Sequence, residues 1–443
     1  MNIILPSKVK FIIDTIHQAG YEAYAVGGCV RDSILGRVPD DWDITTSATP
    51  MQIKELFRRT IDTGIMHGTV TVMLEKEGFE VTTYRIDGEY EDSRHPREVI
   101  FTPSLSEDLK RRDFTINAMA YNEEDGLIDL FGGMEDINNK RICCVGNAME
   151  RFLEDALRIM RAVRFSAQLG YDIEEKTAAA IKELAHTLTN ISAERIQAEL
   201  VKLLSSPNPD FIRIAYEQGV TAVIMPEFDR IMQTGQNNPH HCYNVGEHTL
   251  HAMKAADPDK VLRLSLLFHD FGKAETATVD ENGISHFHGH PKRSEEIARK
   301  ILRRLRFDND TIHKVSKLVL YHDYGNSVVP TDRIVRRFVN EIGDELFLLF
   351  LKVRQADLDA QSDYKREEKQ NNLNLWKQKY EEIVSRADCV SLKTLAVTGS
   401  DLIQAGMKPG KELGGTLNKM LEIVLDDPTM NTKEKLLGLL PLQ

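Results

Sequence analysis

The apolar residues of this chain change their periodicity near residue 146, and this change constrains the fold more than any other feature. Before it, short alternating or β-branched runs, such as 70–74 and 79–84, predict strands between helical patterns. After it, strand patterns almost vanish and apolar residues recur at helical spacing. The sequence therefore predicts an α+β fold, in which a mixed sheet with its helices is followed by an all-helical remainder.

The length of the chain and a stretch rich in proline and asparagine predict several domains. The chain has 443 residues, which corresponds to two to four domains at about 100–200 residues per domain. A Pro- and Asn-rich stretch at 226–239 marks one boundary. We predict four segments, which are 1–145, 146–225, 226–365 and 366–443.

The composition excludes several classes of protein. With 42% hydrophobic and 28% charged residues, the chain is expected to be soluble and globular. No apolar run approaches the roughly 20 residues of a membrane helix, and five cysteines without a CxxC pair favour the cytoplasm over a disulfide framework. A net charge of −12 argues against a uniformly basic surface for duplex DNA. We therefore expect neither DNA nor a membrane as a partner, although a local basic stripe remains possible for RNA.

Two aspartates in the segment DDWDI form the first candidate site. Asp41 and Asp43 are two residues apart, so on a strand their side chains project from the same face. Neighbouring carboxylates repel each other unless a cation lies between them, and Mg²⁺ prefers oxygen ligands that include substrate phosphates. Glu80, in the predicted strand FEVTTYR, is a candidate third carboxylate facing the pair. The pattern predicts a catalytic magnesium site.

Residues near this pair are suited to phosphate. Gly27-Gly28 lies between a predicted strand and a predicted helix, where the backbone can approach a ligand closely and N–H groups can face an anion. Arg31 lies on the first turn of that helix and can pair with a phosphate bidentately. Arg112 is a candidate for ribose or triphosphate contact, and Asp113 is expected to cap the following helix.

A second set of charged residues recurs every three positions within a helix predicted at 149–169. Three residues turn a helix by about 300°, so these residues form a slowly winding stripe that spans roughly 13–14 Å. That length approximates the reach from a nucleobase to a triphosphate. The four residues are Asp155, Arg158, Arg161 and Arg164.

An aspartate beside an arginine selects particular nucleobases. Asp155 accepts a hydrogen bond from an amino group, and Arg158 donates to ring-nitrogen or carbonyl acceptors. Cytosine and adenine present an amino donor beside a ring acceptor, whereas the O4 of uracil and the O6 of guanine would face the carboxylate as acceptor against acceptor. The pair therefore predicts selection of CTP and ATP by side chains, without a nucleic-acid template.

The motifs of the first 200 residues resemble those of bacterial class II tRNA nucleotidyltransferases, the CCA-adding enzymes of the poly(A) polymerase family. The motifs that carry the resemblance are GGCVRDSILG, DDWDI, HGTVTV, EVTTYRIDGEYED, EDLKRRDFTINAMA, DLFGG, RFLEDALRIMRAVRF and SAERIQAEL. The resemblance implies a palm-like nucleotidyltransferase head over 1–145, a neck that reads the nucleotide over 146–225, and a helical body and tail that hold tRNA.

The resemblance also assigns roles to the candidate residues. It implies that Asp41 and Asp43 bind Mg²⁺ and that Asp155 and Arg158 read the base. The residues implied in the other nucleotide contacts are Gly28, Arg31, Arg112, Arg161 and Arg164. The expected reaction is the transfer of CMP and AMP from CTP and ATP to the 3′ end of tRNA, with release of pyrophosphate.

Alternative functions remain open at this stage. Within the family, these are a poly(A) polymerase and an enzyme that adds only part of CCA, such as the terminal A. The segment GIMHGTVTV at 64–72 favours CCA addition over poly(A) synthesis, and a full-length loop at 86–104 argues against an enzyme that adds only the two C residues. From another class, the alternative is a metal-dependent HD phosphohydrolase whose head only binds nucleotide.

Residues 240–361 hold 10 of the 14 histidines. The segments HHCYNVGEHT, LLFHDFGK and RQADLDA resemble the HD phosphohydrolase superfamily. The resemblance implies an HD-type body over 226–365 with a divalent transition metal held by mixed nitrogen and oxygen ligands, which supports phosphoryl chemistry. The implied ligands are His248, His269, Asp270 and Asp357, and His290 and His322 lie where relatives with two metals have extra ligands.

Overall fold

The computed structural model describes residues 2–87 and 99–440. The chain forms two compact units, Met1–Pro226 and Glu227–Gln443. Among the described residues, every helix is too short or too polar to span a lipid bilayer. The finer division into head, neck, body and tail stays a prediction.

The first unit begins with alternating strands and helices and continues with helices. Its strands are β1 (Ala23–Val26), β2 (Ile44–Thr46), β3 (Thr60–Gly64), β4 (Thr69–Leu74), β5 (Glu77–Thr83), β6 (Arg85–Asp87), β7 (Val99–Phe101), β8 (Met119–Asn122), β9 (Gly126–Asp129), β10 (Arg141–Ile142) and β11 (Asp172–Ile173). Its α-helices are α1 (Ser7–Gln18), α2 (Gly28–Ile34), α3 (Pro50–Leu56), α4 (Leu105–Lys110), α5 (Gly133–Asn138), α6 (Ala148–Glu154), α7 (Leu157–Leu169), α8 (Glu175–Leu184), α9 (Ala193–Leu204), α10 (Ile212–Glu217) and α11 (Val220–Ile224). Short 3-10 helices lie at Ile65–His67, Thr115–Asn117, Ala185–Asn190 and Pro209–Phe211.

A seven-stranded sheet organises the first part of this unit, with the strand order β3-β4-β5-β2-β1-β8-β9. Strands β2 and β5 run parallel, and the other neighbouring pairs are antiparallel. All four residues of β1 are buried, as are all three of β2. The centre of the sheet is therefore a fixed platform, and the loops at the end of β1 and the start of β2 lie side by side.

One strand prediction and one loop prediction differ from the structure. The strand expected at 42–45 is β2 (Ile44–Thr46), so Asp41 and Asp43 precede it. The loop expected at 86–104 has paired ends, because Arg85 lies opposite Phe101 in the β6–β7 ladder. Residues 88–98 of that loop lie outside the described residues.

The single helix predicted at 149–169 is two helices. Helix α6 ends at Glu154, and Asp155 is extended, with φ −139° and ψ 102°. Its carboxylate accepts a hydrogen bond from the backbone N–H of Leu157 at 3.0 Å, as a residue at a helix N-terminus does. The prediction of one uninterrupted stripe was therefore wrong. Helix α7 carries only Arg158, Arg161 and Arg164.

The second unit is helical within residues 227–440, apart from one two-stranded ribbon of β12 (Thr278–Val279) and β13 (Ser285–His286). Its α-helices are α12 (Pro226–Met232), α13 (Val245–Ala255), α14 (Lys260–Phe268), α15 (Lys273–Thr276), α16 (His290–Arg304), α17 (Asn309–Tyr321), α18 (Asp332–Ile342), α19 (Asp344–Asp359), α20 (Arg366–Ser385), α21 (Gly399–Gln404), α22 (Lys411–Asp426) and α23 (Lys433–Leu437), and a 3-10 helix lies at Pro428–Met430. The predicted α+β class is confirmed.

An aromatic cluster holds the middle of the second unit together. Phe338 of α18 packs edge-on against Phe350 of α19, with ring centroids 4.7 Å apart, and against Trp376 of α20 at 5.7 Å. All three side chains are buried. Burial of large aromatic side chains in this geometry stabilises a core, and it gives α19 a fixed position among its neighbours.

Candidate active site

The two predicted metal-binding aspartates lie at the start of β2, beside the end of β1. The backbone N–H of Val26 donates to the carbonyl oxygen of Asp43 at 3.0 Å. This bond places Asp43 next to Gly27, the residue that follows β1. The antiparallel pairing of β1 and β2 thus joins the predicted glycine turn to the predicted carboxylates, which are about 15 positions apart in sequence.

Glu80 lies next to the aspartate pair. In the parallel ladder of β2 and β5, Ile44 lies opposite Val81. One position earlier on each strand, Asp43 and Glu80 are therefore neighbours, with side chains on the same side of the sheet. The charge of Glu80 contributes to the raised pKa of Asp43. The structure thus brings together Asp41, Asp43 and Glu80.

The carboxyl group of Asp43 lies in an environment that disfavours its charge. Desolvation by the surrounding protein, followed by the negative charges of Asp41 and Glu80, raises the pKa of Asp43 to about 6, although Arg112 acts in the opposite direction. The side chain is nevertheless exposed, so an ion can reach it. Crowded, accessible carboxylate oxygens are the donor set that fits Mg²⁺.

Arg112 lies against the glycine turn. Gly27 has φ +82°, and a Cβ at this position would lie 3.1 Å from the Nη1 atom of Arg112, so the backbone conformation and the close approach both favour glycine. The Nη2 atom of Arg112 donates to buried Asp108 at 3.4 Å. Asp108 also accepts hydrogen bonds from Arg111 and Thr45. The carboxylate of Asp108, which is bound to Thr45 of the sheet, therefore orients Arg112.

Arg31 is buried and already has partners. It is 7% exposed, and its Nε and Nη2 atoms donate to Asp32 at 2.9 and 2.8 Å. Its Nη1 atom donates to Asn117 at 2.6 Å. A phosphate at this position would share or replace these contacts, and the predicted phosphate contact of Arg31 stays a prediction.

Three of the predicted arginines lie around one aromatic ring. The guanidinium carbons of Arg31, Arg161 and Arg164 lie 5.0, 5.3 and 3.6 Å from the centroid of the Phe165 ring. Attraction between cations and the ring face offsets part of the repulsion among like charges. The sequence analysis missed Phe165, although a phenylalanine next to Arg164 and four residues after Arg161 on one helix was an available signal.

The predicted base readers have different partners in the structure. Asp155 is bound by Arg195 of α9, at 2.8 and 3.3 Å. Arg158 donates to Glu154 at 2.7 Å and to the carbonyl oxygen of Arg111 at 2.9 Å. Each reader is therefore held by a side-chain contact outside the predicted pair.

Buried carboxylates hold the other two arginines of α7. Arg161 donates to Asp113 at 2.7 Å, and Arg164 donates to Glu199 at 2.7 Å. Burial alone would raise the pKa of Asp113, but the positive charges of Arg161 and Arg158 and the hydrogen bonds it accepts lower it to about 2. Asp113 was predicted to cap the following helix, and this prediction was wrong, because the N-cap of Thr115–Asn117 is Phe114 and no side chain caps that helix. Asp113 instead accepts a hydrogen bond from the backbone N–H of Phe114, so it joins the loop before Thr115–Asn117 to α7.

Arg195 and Glu199 are site residues that the sequence analysis missed. They are four residues apart on α9, and the segment SAERIQAEL that contains them entered the analysis only through a family resemblance. A buried glutamate at helical spacing from an arginine is a weak signal by itself. Their roles depend on the packing of α9 against α7, which local periodicity does not report.

Known proteins resemble this chain over nearly its whole length. The CCA-adding enzyme of Levilactobacillus brevis is 37% identical over 427 residues, which cover 96% of this chain and 95% of the relative. The chain belongs to the CCA-adding enzyme family. The CCA-adding enzyme of Lactobacillus helveticus is 35% identical over 435 residues, which cover 96% of this chain and 94% of the relative.

Family models and solved structures agree with this membership. The model described as "Poly A polymerase head domain" matches residues 23–143, "Probable RNA and SrmB- binding site of polymerase A" matches 170–232, and "tRNA nucleotidyltransferase domain 2 putative" matches 277–440. The crystal structure of the Bacillus stearothermophilus CCA-adding enzyme in complex with CTP is 30% identical, with a TM-score of 0.73, and covers 98% of this chain and 97% of that one. The predicted nucleotidyltransferase head and helical C-terminal region are confirmed.

This member of the CCA-adding enzyme family also contains a buried histidine cluster in its second unit. His248 lies on α13, His269 and Asp270 directly follow α14, and Asp357 lies on α19. The Nε2 atom of His248 lies 2.8 Å from the Oδ1 atom of Asp357 and 3.3 Å from the Nε2 atom of His269. The structure therefore brings together the four predicted metal ligands.

A second group of possible ligands shares Asp270. The Nε2 atoms of His290 and His322 lie 3.2 Å apart, and they lie 3.3 and 3.6 Å from the Oδ1 atom of Asp270. The Oδ2 atom of the same carboxylate lies 3.2 Å from the Nε2 atom of His269. Each oxygen of Asp270 thus faces its own pair of histidines, and both groups have the dimensions of a metal site.

Backbone carbonyl groups decide which histidine nitrogens can bind a metal. The Nδ1 atoms of His248, His269, His290 and His322 lie 3.2, 2.6, 2.9 and 2.7 Å from the carbonyl oxygens of four different residues. A carbonyl oxygen only accepts, so each Nδ1 carries a proton, and Nε2 is the nitrogen through which each ring can bind a metal. The four Nε2 atoms converge on the two aspartates.

The carboxylates of the cluster are ionised despite their burial. Burial opposes the charge on Asp270, but His269 and Lys273 outweigh it and hold the pKa of Asp270 well below its usual range. Desolvation likewise opposes the charge on Asp357, whose pKa is lowered by its hydrogen bond with His248. Carboxylate oxygens and imidazole nitrogens form a mixed donor set of the kind that divalent transition metals prefer.

Proposed function

We propose that this protein adds CMP and AMP to the 3′ end of tRNA, with CTP and ATP as substrates and without a template. The observation that carries the proposal is the meeting of Asp41, Asp43 and Glu80 beside the Gly27 turn, where desolvation and mutual repulsion raise the pKa of Asp43 to about 6. Membership of the CCA-adding enzyme family supports the substrate assignment.

The carboxylates fit Mg²⁺, with Asp41 and Asp43 as the residues that would hold it and Glu80 beside them. Bound there, Mg²⁺ would supply positive charge to the attacking hydroxyl oxygen and the leaving phosphate. The 3′-hydroxyl group of tRNA loses its proton to solvent as its oxygen forms a bond to the α-phosphorus, and the bond from that phosphorus to the bridging oxygen breaks. The electron pair leaves with pyrophosphate, so no covalent enzyme intermediate is needed.

Arg112 and the arginines around Phe165 are proposed to position the triphosphate and sugar. Arg112 is oriented by Asp108, and Arg161 by Asp113. Arg–phosphate contacts are directional and strong. Guanidinium groups whose orientation is fixed by carboxylates therefore orient the α-phosphorus toward the 3′-hydroxyl group. We propose that Asp155 and Arg158 then choose the base by matching the amino donor and ring acceptor of cytosine or adenine.

A nucleotide-addition assay tests the proposal and separates it from its alternatives. Transcripts of tRNA that lack CCA, CA or only the final A are incubated with each NTP alone and with CTP plus ATP. We expect completion of all three ends from CTP and ATP. Addition of A alone would indicate a partial enzyme, a long A tail would indicate a poly(A) polymerase, and no incorporation would overturn the proposal.

Variants of one loop connect this activity to the carboxylates. Asp41→Ala and Asp43→Ala are expected to lower incorporation by at least a thousandfold, because each removes a proposed metal ligand. Asp40→Ala changes the adjacent residue and serves as the matched control, with near wild-type incorporation expected. Retained incorporation by Asp41→Ala would contradict the proposed role of the pair.

We propose a second, metal-dependent phosphohydrolase function for the histidine cluster of the second unit. The four converging Nε2 atoms and the two ionised aspartates support two divalent metal ions that share Asp270. Metal ions in such a site activate water for attack on phosphorus. The test is metal content and phosphate-ester hydrolysis by the full chain, with loss of both expected in Asp270→Ala and loss of nucleotide addition expected only in Asp41→Ala.

A further inference from the structure

Helix α16 is rich in positive charge on its exposed side. Seven of the seventeen residues from 290 to 306 are lysine or arginine and two are glutamate, in a chain whose net charge is −12. The opposite side of the helix packs into the core, and its buried residues are Ser294, Ile297, Ala298, Ile301 and Leu302. This burial fixes the rotation of the helix, so its charged side faces solvent.

Four cations of this segment are exposed and unpaired. Within the described parts of the chain, their side chains form neither a hydrogen bond nor an ion pair. We call them the basic face, and they are Lys292, Lys300, Arg303 and Arg306. The two glutamates of the helix have other partners, since Glu295 pairs with Arg299 and Glu296 pairs with Arg293. The basic face is therefore available to an external anion.

The spacing of the basic face suits the backbone of a nucleic acid. From Lys292 to Lys300 the helix turns by about 80°, and from Lys300 to Arg303 it turns back by about 60°. These three residues thus share one side of α16 over roughly 16 Å of its axis. Phosphate charges follow one another every ~3.4 Å along each strand of a duplex, so the basic face can contact more than one of them.

Arg306 has a backbone conformation that favours glycine. Its φ is +61°. Its N–H donates to the carbonyl oxygen of Arg303 at 3.1 Å, and the N–H of Phe307 donates to that of Leu302 at 3.0 Å. These two bonds form the helix ending in which glycine is the usual residue, because a Cβ is strained in the left-handed region. An exposed arginine here opposes folding, so the strain indicates a role for its side chain outside folding.

Local electrostatics do not explain Arg306. The carboxylate two residues later, Asp308, accepts hydrogen bonds from the N–H and the hydroxyl group of Thr311 at 2.8 and 2.7 Å. It also lies 3.6 Å from the Nζ atom of Lys260. The helix dipole favours cations in the last turn of a helix, which accounts for Arg303, but Arg306 lies beyond the end of α16 at Arg304.

We propose that the basic face of α16 binds the sugar–phosphate backbone of tRNA. The inference rests on the proposed function, in which tRNA is the polyanionic substrate. Binding to phosphates requires cations that no carboxylate already neutralises. In an acidic chain, such binding depends on a local cluster rather than on the net charge. Contacts to phosphate position the RNA and do not read its sequence.

The first test measures tRNA binding without turnover. The full chain is titrated onto a labelled tRNA transcript that already ends in CCA, without NTP, at several salt concentrations. A double variant, Lys300→Gln with Arg303→Gln, is expected to bind at least fivefold more weakly. The slope of log affinity against log salt should fall by about two, roughly one for each lost phosphate contact. Equal affinity and slope in this variant and in wild type would overturn the inference.

A control variant removes a surface cation that already has a partner. Lys352 on α19 is exposed and pairs with Asp257, so Lys352→Gln changes the net charge without touching the basic face. Its tRNA affinity and salt slope should equal those of wild type. A loss as large as that of the double variant would show that only the net charge matters and would overturn the inference.

Arg306→Gly separates RNA binding from folding, because its two expected effects have opposite signs. Relief of the left-handed backbone should raise the unfolding transition by about 1–3 °C, while loss of the cation should weaken tRNA binding severalfold. Ala387→Gly is the matched control, since Ala387 has φ +52° and follows α20 with the same two backbone hydrogen bonds. It should gain stability with unchanged tRNA binding. Unchanged tRNA binding or a lower transition temperature in Arg306→Gly would count against the inference.

Nucleotide addition distinguishes failure of this inference from failure of the proposed function. In the double variant we expect the KM for tRNA to rise with kcat nearly unchanged. If wild type adds CMP and AMP while the variants bind tRNA normally, only the inference fails. If wild type adds neither, the proposed function fails and tRNA binding still judges the basic face. Poly-glutamate is the probe for an acidic protein, and variants that lose poly-glutamate binding but keep tRNA binding would overturn the inference.

Discussion

Asp155 accepts hydrogen bonds from Arg195 at 2.8 and 3.3 Å, although 40 residues separate them in the chain. The pair joins the break between α6 and α7 to α9. Asp155 also accepts a hydrogen bond from the N–H of Leu157, the first residue of α7. The orientation of the proposed base-reading carboxylate is therefore fixed by a residue of another helix, outside the predicted pair of Asp155 and Arg158.

Removal of Arg195 is expected to weaken base discrimination. Arg195→Ala leaves Asp155 without its charged partner, and a hydrogen bond to a charged group contributes about 1.5–3 kcal/mol. We expect kcat/KM for CTP to fall by about tenfold to a hundredfold, with relatively more incorporation of UTP. Single-nucleotide incorporation kinetics measure both. Lys202→Ala, at an exposed position of α9, is the control, and unchanged CTP selectivity in Arg195→Ala would contradict this prediction.

Glu80→Gln is expected to raise the Mg²⁺ concentration needed for nucleotide addition. The substitution removes one of the negative charges that surround Asp43, so the site attracts a cation less strongly. A severalfold to tenfold increase in the half-saturating Mg²⁺ concentration is expected, measured by titration of the incorporation rate. Glu77→Gln removes an exposed charge from the same strand, where it pairs with Lys8, and should leave the Mg²⁺ requirement unchanged.

The buried pair of Asp113 and Arg161 makes stability depend on pH. The pKa of Asp113 is lowered to about 2 in the folded chain, against about 3.9 in an unfolded one. The stabilising contribution, about 2–3 kcal/mol, is complete above pH 5 and is lost as the pH falls from about 4 to 2. The variant Asp113→Asn lacks this contribution to the free energy of unfolding.

Urea unfolding at several pH values measures that contribution. The difference in unfolding free energy between wild type and Asp113→Asn should be constant from pH 7 to 5 and should shrink below pH 4. Asp62→Asn, which removes a partner of Lys54 on the surface, should cost less than about 1 kcal/mol. A difference for Asp113→Asn that does not change with pH would refute the assignment.

Removal of divalent metal is expected to destabilise the second unit. Ligands that bind only the folded state stabilise it by about 2.7 kcal/mol at a hundred times their dissociation constant. Chelation should therefore lower a transition temperature in calorimetry by several degrees, and His322→Asn should reduce that effect. His313→Asn changes an exposed histidine of the neighbouring helix α17 and should respond to chelator like wild type.

Part of the site was accessible from the sequence because its chemistry is local. The spacing of Asp41 and Asp43 and the glycine turn at Gly27 lie within 17 residues, and short-range geometry brings them together. The histidine cluster was accessible because the segments HHCYNVGEHT, LLFHDFGK and RQADLDA resemble the HD phosphohydrolase superfamily. The partners of Asp155 and Arg164 were not accessible, because Arg195 and Glu199 lie on another helix.

The break at Asp155 illustrates why the rest could not be predicted. The helical periodicity runs through residues 149–169 without interruption, and local propensity favours one helix. The bond with Arg195 and the packing of α9 compensate for the interrupted backbone, and both contacts form only when the chain is folded. Tertiary contacts override local preference in such cases.

The sequence by itself determined the α+β class and the family to which the chain belongs, and it predicted Asp41, Asp43 and the histidine cluster as candidate sites. Only the tertiary structure decided the neighbour of Asp43 across β2 and β5, the partner of Asp155 and the partner of Arg164. The reason is physical. Periodicity records which face of each element is buried, whereas register, ion pairs and unmet donors depend on which distant elements pack together and on what they exclude from water.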